Sequence, residues 1–236
     1  MIALLGYGAD VDSAQWLCGG TVISERYVLT AAHCTSTSAL LEGPIKFAAL
    51  GVLKRTDPKK DWKIYDIKRI VIHPQYSSPL KYHDIALLET EKEINFGKDL
   101  LPACLNTRST TDRVFEAEAA GWGRAGNRRP LSDNLQVVIL DKYSETECSD
   151  IYEPHRLLPQ GYDHETQMCY GSKKMVVDTC EGDSGGPLQT NEEKCQYYVV
   201  GVTSYGKNCG VLGSAGMYTR VAHYVPWIES VVWPHT

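Results

Sequence analysis

No apolar run in this sequence is long enough to cross a bilayer; pieces such as Val199 to Val202 have the length of a strand, so no membrane association is expected. There is no C-x-x-C pair, and the cysteines and histidines are not spaced as a zinc cage requires. Basic residues are not in excess. The 24 Lys and Arg against 29 Asp and Glu leave a net charge of −5, and no overall field draws nucleic acid. No N-x-S/T triplet occurs, so no N-glycan is expected. The apolar opening Met1 to Tyr7 is too short for a signal peptide, and Ala9 to Asp12 is acidic where a cleavage site would be small. Neither a repeat nor a low-complexity linker divides the chain, and residues 1–236 are read as one unit of two similar halves. Nothing calls for a metal or cofactor.

What is present is a core and a cysteine framework. Apolar residues make up 43% of the chain, too many for a disordered one, and the eight cysteines point to disulfides and an oxidising, extracellular compartment. Short runs rich in branched residues, at Thr21 to Ser24, Tyr27 to Thr30, Ile67 to Ile72, Ile85 to Leu88, Leu135 to Leu140 and Tyr197 to Thr203, lie between turn residues. They read as an all-β sandwich or barrel. One helix is expected at the end, where Val221, Tyr224, Val225, Ile228 and Val231 recur at threes and fours until Pro234.

Three segments carry possible chemistry. Gly182-Asp183-Ser184-Gly185-Gly186-Pro187 is either a glycine-rich turn or a nucleophile mount. In the second case the N–H groups of Gly182 and Ser184 face a developing oxyanion. Thr30-Ala31-Ala32-His33-Cys34 sets one of seven histidines among small residues, as a general base or a structural imidazole. Tyr82-His83-Asp84-Ile85 puts an aspartate at the mouth of an apolar strand, either to orient an imidazole or simply to pair with Lys81.

Taken in the order His33, Asp84, Ser184, these blocks resemble the chymotrypsin/trypsin family of serine endopeptidases. The resemblance extends through Trp16-Leu17-Cys18-Gly19-Gly20, Gly121-Trp122-Gly123, Asp178 to Pro187, Ser204-Tyr205-Gly206 and Tyr218. It implies two six-stranded antiparallel β-barrels with a C-terminal helix, and a Ser–His–Asp triad in the cleft between them. An esterase or lipase is excluded on order, since those place the histidine last. A non-catalytic homologue is disfavoured because Ser184 is intact.

The resemblance carries further expectations. Asp178 falls at the base of the primary pocket, where a buried carboxylate selects arginine or lysine. Gly206 and Gly216 match the pocket walls, and Ser204 to Gly206 would pair with substrate backbone as an added strand. Lys81 lies where relatives line the next subsite, although a solvated lysine is the simpler reading. Disulfides Cys18–Cys34, Cys148–Cys169 and Cys180–Cys209 are implied, which leaves Cys104 and Cys195 to join each other or to reach a segment outside this chain. Relatives are activated by a cut that frees an Ile-Val-Gly-Gly-like N-terminus, whose ammonium pairs with the aspartate before the nucleophile. That segment and any pro-region are absent here, so Asp183 is expected to be unpaired and the site poorly formed.

Trp16 to Gly20, Cys104 and Gly201 to Gly210 look like arthropod clip-domain proteases of defence and developmental cascades. The expected partners are therefore a protein zymogen cut after a basic residue and a serpin-type inhibitor, with the protease a monomer. A digestive or venom trypsin is the rival, as is an inactive zymogen-like or truncated form. Lys54, Arg55, Lys59, Lys60 and Lys63 crowd one loop whose two acids, Asp57 and Asp61, are too few for a calcium cage. That loop is either solvated or a surface for a protein or sulfated polysaccharide. Arg124, Arg128 and Arg129 mark a segment open to tryptic nicking.

Overall fold

A computed structural model describes residues 1–35, 43–107, 114–124, 130–173, 182–192, 196–206, 211 and 213–234. Its first half contains strands β1 (Ile2–Tyr7), β2 (Gln15–Val22), β3 (Tyr27–Thr30), β4 (Ile45–Leu50), β5 (Lys63–Ile72) and β6 (Ala86–Thr90). They close an antiparallel barrel in the order β1-β2-β3-β6-β5-β4. The second half contains β7 (Cys104–Leu105), β8 (Glu116–Gly121), β9 (Gln136–Lys142), helix α1 (Glu145–Ile151), β10 (Gln167–Gly171), β11 (Pro187–Glu192), β12 (Gln196–Tyr205), β13 (Gly216–Arg220) and helix α2 (Val221–Val232). The sheet runs β11-β8-β9-β10-β13-β12-β7, and pairing of β11 with β12 closes six of these strands into a second barrel.

Two barrels and a final helix are what the resemblance implied. Two features differ in detail. The two-residue β7 is an addition outside the six-strand circuit and pairs parallel to β12, with Cys104 opposite Tyr198. Helix α1 was not anticipated, although its start was legible. Ser144 accepts the N–H of Glu147 at 3.2 Å while the Glu147 carboxylate accepts the N–H of Ser144 at 2.7 Å, a capping box spelled S-x-x-E.

Helix α2 follows the expected period. Val221, Tyr224, Val225 and Ile228 form its buried face. That face joins the interior of the first barrel (Leu5, Val22, Leu29, Leu87) through Val199 and Val202 of β12. One apolar cluster thus ties the last helix and a second-barrel strand to the first barrel. Each such aliphatic side chain contributes about 1.5–3 kcal/mol on burial. The second barrel has its own interior around Met168, Tyr170, Leu188, Val200 and Tyr218. The consequence for function is that the segments carrying His33, Asp84 and Ser184 all leave the ends of strands anchored in these cores.

Candidate active site

His33 sits in a single 3-10 turn (Ala32–Thr35) directly after β3. Ala31 and Ala32 are fully buried, so the chain can turn sharply there without displacing the barrel. The turn is tied down on three sides. Cys34 is bridged to Cys18, Tyr7 donates its hydroxyl to the Cys34 carbonyl at 2.8 Å, and the Thr30 hydroxyl donates to the Gly19 carbonyl at 2.8 Å.

Asp84 precedes β6 and is 2% exposed. Its Oδ1 accepts the backbone N–H of His33 at 2.8 Å, and its Oδ2 lies 2.7 Å from His33 Nδ1. The hydroxyl of Ser204 on β12 donates to the same Oδ2, and the Thr219 hydroxyl on β13 donates to the Asp84 carbonyl at 2.8 Å. Burial by itself pushes the Asp84 pKa up. The charge of His33 and the three hydrogen bonds outweigh it and hold the carboxyl below its ordinary range. The ionised carboxylate fixes the imidazole with Nδ1 protonated, which leaves Nε2 as the base. The Asp84–Lys81 ion pair, open as an alternative from sequence, does not form: the ion partner of Asp84 is His33. Lys81 instead lies over the ring of Tyr205, 5.4 Å from its centroid.

The preceding residue shapes this turn. His83 has a left-handed backbone, φ 53°, and the Ile85 N–H closes back on the His83 carbonyl at 2.8 Å. The His83 ring is bonded to the Tyr224 hydroxyl at 2.9 Å and stacked on His73 with centroids 5.6 Å apart. Helix α2 thereby braces the residue that aims Asp84.

Ser184 lies on the turn before β11. Its carbonyl accepts the N–H of Gly19 at 2.7 Å, which docks the Ser184 turn on the strand whose Cys18 is bridged to Cys34, beside His33. Gly185, at φ +77°, could carry no side chain, because a Cβ there would lie 2.2 Å from Thr30 Oγ1. The blocks holding His33 and Ser184 therefore meet around Gly19 and Thr30, and Asp84 joins the first of them through its two bonds to His33. Among the described residues no hydrogen bond is formed by the Ser184 hydroxyl itself.

Asp183 corrects an expectation. It is not unpaired: its Oδ1 accepts the N–H of Gly123 at 2.7 Å. Its carboxylate fills the space that side chains on Gly121 and Gly123 would take, with a Cβ on Gly123 only 2.1 Å from Oδ2. The Gly121-Trp122-Gly123 block thus has a physical reason, since it makes the seat for this carboxylate.

Of the remaining expected residues, Gly206 directly follows β12 and, among the described residues, nothing lies within 4 Å of where its side chain would stand; Gly216 begins β13. Asp178, Cys180, Cys195, Cys209, Arg128 and Arg129 lie outside the described residues. The bridges Cys18–Cys34 and Cys148–Cys169 are present, with Cα atoms 6.3 and 6.0 Å apart. Cys104 is a free, exposed thiol among the described residues. Cys18, His33 and Cys34 bring three donor atoms within 4.8 Å, but two of them are joined as a disulfide and offer no thiolate to a metal.

Comparison with known proteins matches the family described as Trypsin over residues 5–228. Serine protease snk of Drosophila melanogaster is 38% identical over 228 residues, covering 96% of this chain and 51% of that protein. Venom serine protease Bi-VSP of Bombus ignitus is 36% identical, covering 95% of the chain and 62% of that protein. CLIP domain-containing serine protease C9 of Anopheles gambiae is 36% identical, covering 98% and 64%. The chain thus spans about half to two thirds of the length of these relatives.

Proposed function

The chain belongs to the trypsin family of serine proteases, and on that premise we propose that residues 1–236 form one catalytic unit that hydrolyses the peptide bond after arginine or lysine in a protein substrate. The observation that carries the reading is the two-point grip of the buried Asp84 on His33, at 2.8 and 2.7 Å. A carboxylate on Nδ1 leaves Nε2 as the ring nitrogen available to act as a base in this reading.

In this reading His33 Nε2 takes the proton of the Ser184 hydroxyl as its oxygen attacks the substrate carbonyl. The resulting oxyanion is met by the N–H groups of Gly182 and Ser184. The imidazolium, steadied by Asp84, then gives that proton to the leaving amine, and the acyl-enzyme is cut by water along the same path. Asp178 supplies the carboxylate that selects a basic side chain. Gly206, with nothing against its side-chain face among the described residues, and Gly216 leave room for it, while Ser204 to Gly206 hold the substrate backbone.

The zymogen substrate, a serpin-type inhibitor, secretion and a place in an extracellular cascade are part of this proposal; the two disulfides support the secretion, and the similarity to a CLIP domain-containing serine protease supports a protease of that kind. The bumblebee relative named as a venom protease supports the same chemistry in a venom. The test is to activate the full precursor and compare arginyl, phenylalanyl and alanyl peptide substrates. Arginyl cleavage that disappears in Ser184→Ala is expected; preference for phenylalanine or alanine would overturn the pocket assignment.

A further inference from the structure

The turn that aims Asp84 is braced by titratable rings. His83, at φ 53°, occupies the left-handed region, where asparagine and histidine are among the better tolerated side chains. With the Ile85 N–H bonded back to the His83 carbonyl, Asp84 is the middle residue of a three-residue turn. The direction of its carboxylate therefore follows the placement of His83. Two partners from distant segments make that placement. The Tyr224 hydroxyl of α2 is bonded to His83 Nδ1 at 2.9 Å, and the His73 ring stacks on the His83 ring at 5.6 Å with 21° between their planes. His73 also grips the far end of the turn, where its N–H donates to the Ile85 carbonyl at 3.1 Å.

This packing favours uncharged rings. The Gln75 N–H donates to His73 Nδ1 at 3.3 Å, so that nitrogen carries no proton, and adding one would set two N–H groups against each other. His73 is 7% exposed and packs at steep angles against Tyr224 and Trp227, each 4.9 Å away. Among the described residues, the titratable groups around the pair are Tyr224 and His223 of α2, Asp163 ahead of β10, and Asp84 itself. The two carboxylates are engaged elsewhere. Asp163 accepts from the Glu165 N–H and the Thr166 hydroxyl at 3.1 and 2.6 Å, and Asp84 is bonded to His33 and Ser204. Burial lowers the pKa of both histidines, and Asp163 offsets this only in part at His83.

We propose that His83 is a positioning residue for Asp84 that acts only while uncharged, and that its protonation loosens the Asp84 turn and slows the reaction in acid beyond what protonation of His33 does. The inference rests on the protease reading above. A proton on His83 puts charge against a stacked, buried imidazole. The ring is drawn toward water, the stack is given up, and Asp84 loses its fixed aim on His33 Nδ1.

The test uses the activated full-length protein and a short arginyl amide, at each pH where circular dichroism shows the folded chain. In the parent, log kcat/KM is expected to fall with a slope steeper than one below about pH 5.5, because two rings must be uncharged. His83→Asn keeps the left-handed turn and an amide for Tyr224 but does not titrate, so its slope is expected to be one. At about pH 8, His83→Ala is expected to lower kcat about tenfold with KM within about twofold, and His83→Asn to recover most of that loss. If His83→Ala does not fold, Tyr224→Phe, which removes only the hydroxyl, is expected to lower kcat about threefold. A parent slope of one throughout, a slope unchanged in His83→Asn, or parental kcat in His83→Ala would overturn the proposal. A second readout needs no turnover. In Ser184→Ala, the downfield NMR signal of the proton between His33 Nδ1 and Asp84 is expected to shift in two steps as pH falls, and in one step when His83→Asn is added. One step in both would overturn the proposal whatever the substrate. Two steps in a protein whose parent cleaves no arginyl amide at any pH would count against the protease reading alone.

Discussion

Asp84 holds His33 by two different atoms: Oδ1 takes the backbone N–H at 2.8 Å and Oδ2 takes the ring Nδ1–H at 2.7 Å. The backbone contact fixes where the residue sits, and the ring contact fixes which nitrogen is free. Position and tautomer are thus set by one buried carboxylate.

Replacing that carboxylate separates the two roles. Asp84→Asn keeps the shape but loses the charge and the acceptor that selects the tautomer, so kcat is expected to fall about 10⁴-fold with little change in KM. Ser204→Ala removes one donor and raises the Asp84 pKa, with a smaller loss, about tenfold. Steady-state kinetics on an arginyl amide checks both.

The seat of Asp183 gives a second prediction. In Gly123→Ala the new Cβ would fall 2.1 Å from Asp183 Oδ2. The carboxylate must move and carry Ser184 with it, so kcat/KM is expected to fall about 100-fold or more while stability falls by about 1–3 kcal/mol. Kinetics and thermal melting of the same sample distinguish this from simple unfolding.

Much of this was legible in the residues, and the exceptions share a cause. The blocks around His33, Asp84 and Ser184 are local strings, and the period of Val221 to Ile228 is a local pattern; both were readable. The capping box at Ser144 and Glu147 is equally local, but the helix it opens, Glu145–Ile151, is too short to display an apolar period. The Ser204 hydroxyl on Asp84, 120 residues away, and the Thr219 hydroxyl on its carbonyl, 135 residues away, have no local sign. They depend on two barrels closing against one another. The expectation of an unpaired Asp183 failed for the same reason: its partner, the N–H of Gly123, is 60 residues distant.

The bridge beside the base ties stability to chemistry. Cys18 and Cys34 are 16 residues apart, and the double replacement by serine is expected to cost about 3 kcal/mol through loop-closure entropy. Because His33 adjoins Cys34, kcat should fall as well. Denaturant unfolding under oxidising and reducing conditions, read beside activity, checks this.

The stacked histidines predict a pH window. Burial is the main cause that lowers the His73 pKa from 6.5 to about 4, with His83 and His223 adding to it. The unfolded chain therefore binds a proton that the folded one refuses, and stability is lost as pH falls from about 6.5 to about 4, then levels off. The slope from this residue is at most about 1.4 kcal/mol per pH unit. His83, lowered in the same direction, adds to the effect. Chemical denaturation at pH 7 and pH 5 should show a smaller difference in His73→Asn than in the parent.

Acylation of one hydroxyl by a basic ester is the most direct trial. The activated protein is mixed with a slowly deacylating guanidinobenzoate ester, and the burst of released leaving group is measured beside a mass map of the adduct. A burst of about one equivalent, with the added mass on the peptide containing Ser184 and none in Ser184→Ala or His33→Ala, is the result expected. No burst from the activated protein, or an adduct on another residue, would contradict the assignment of Ser184, His33 and Asp84.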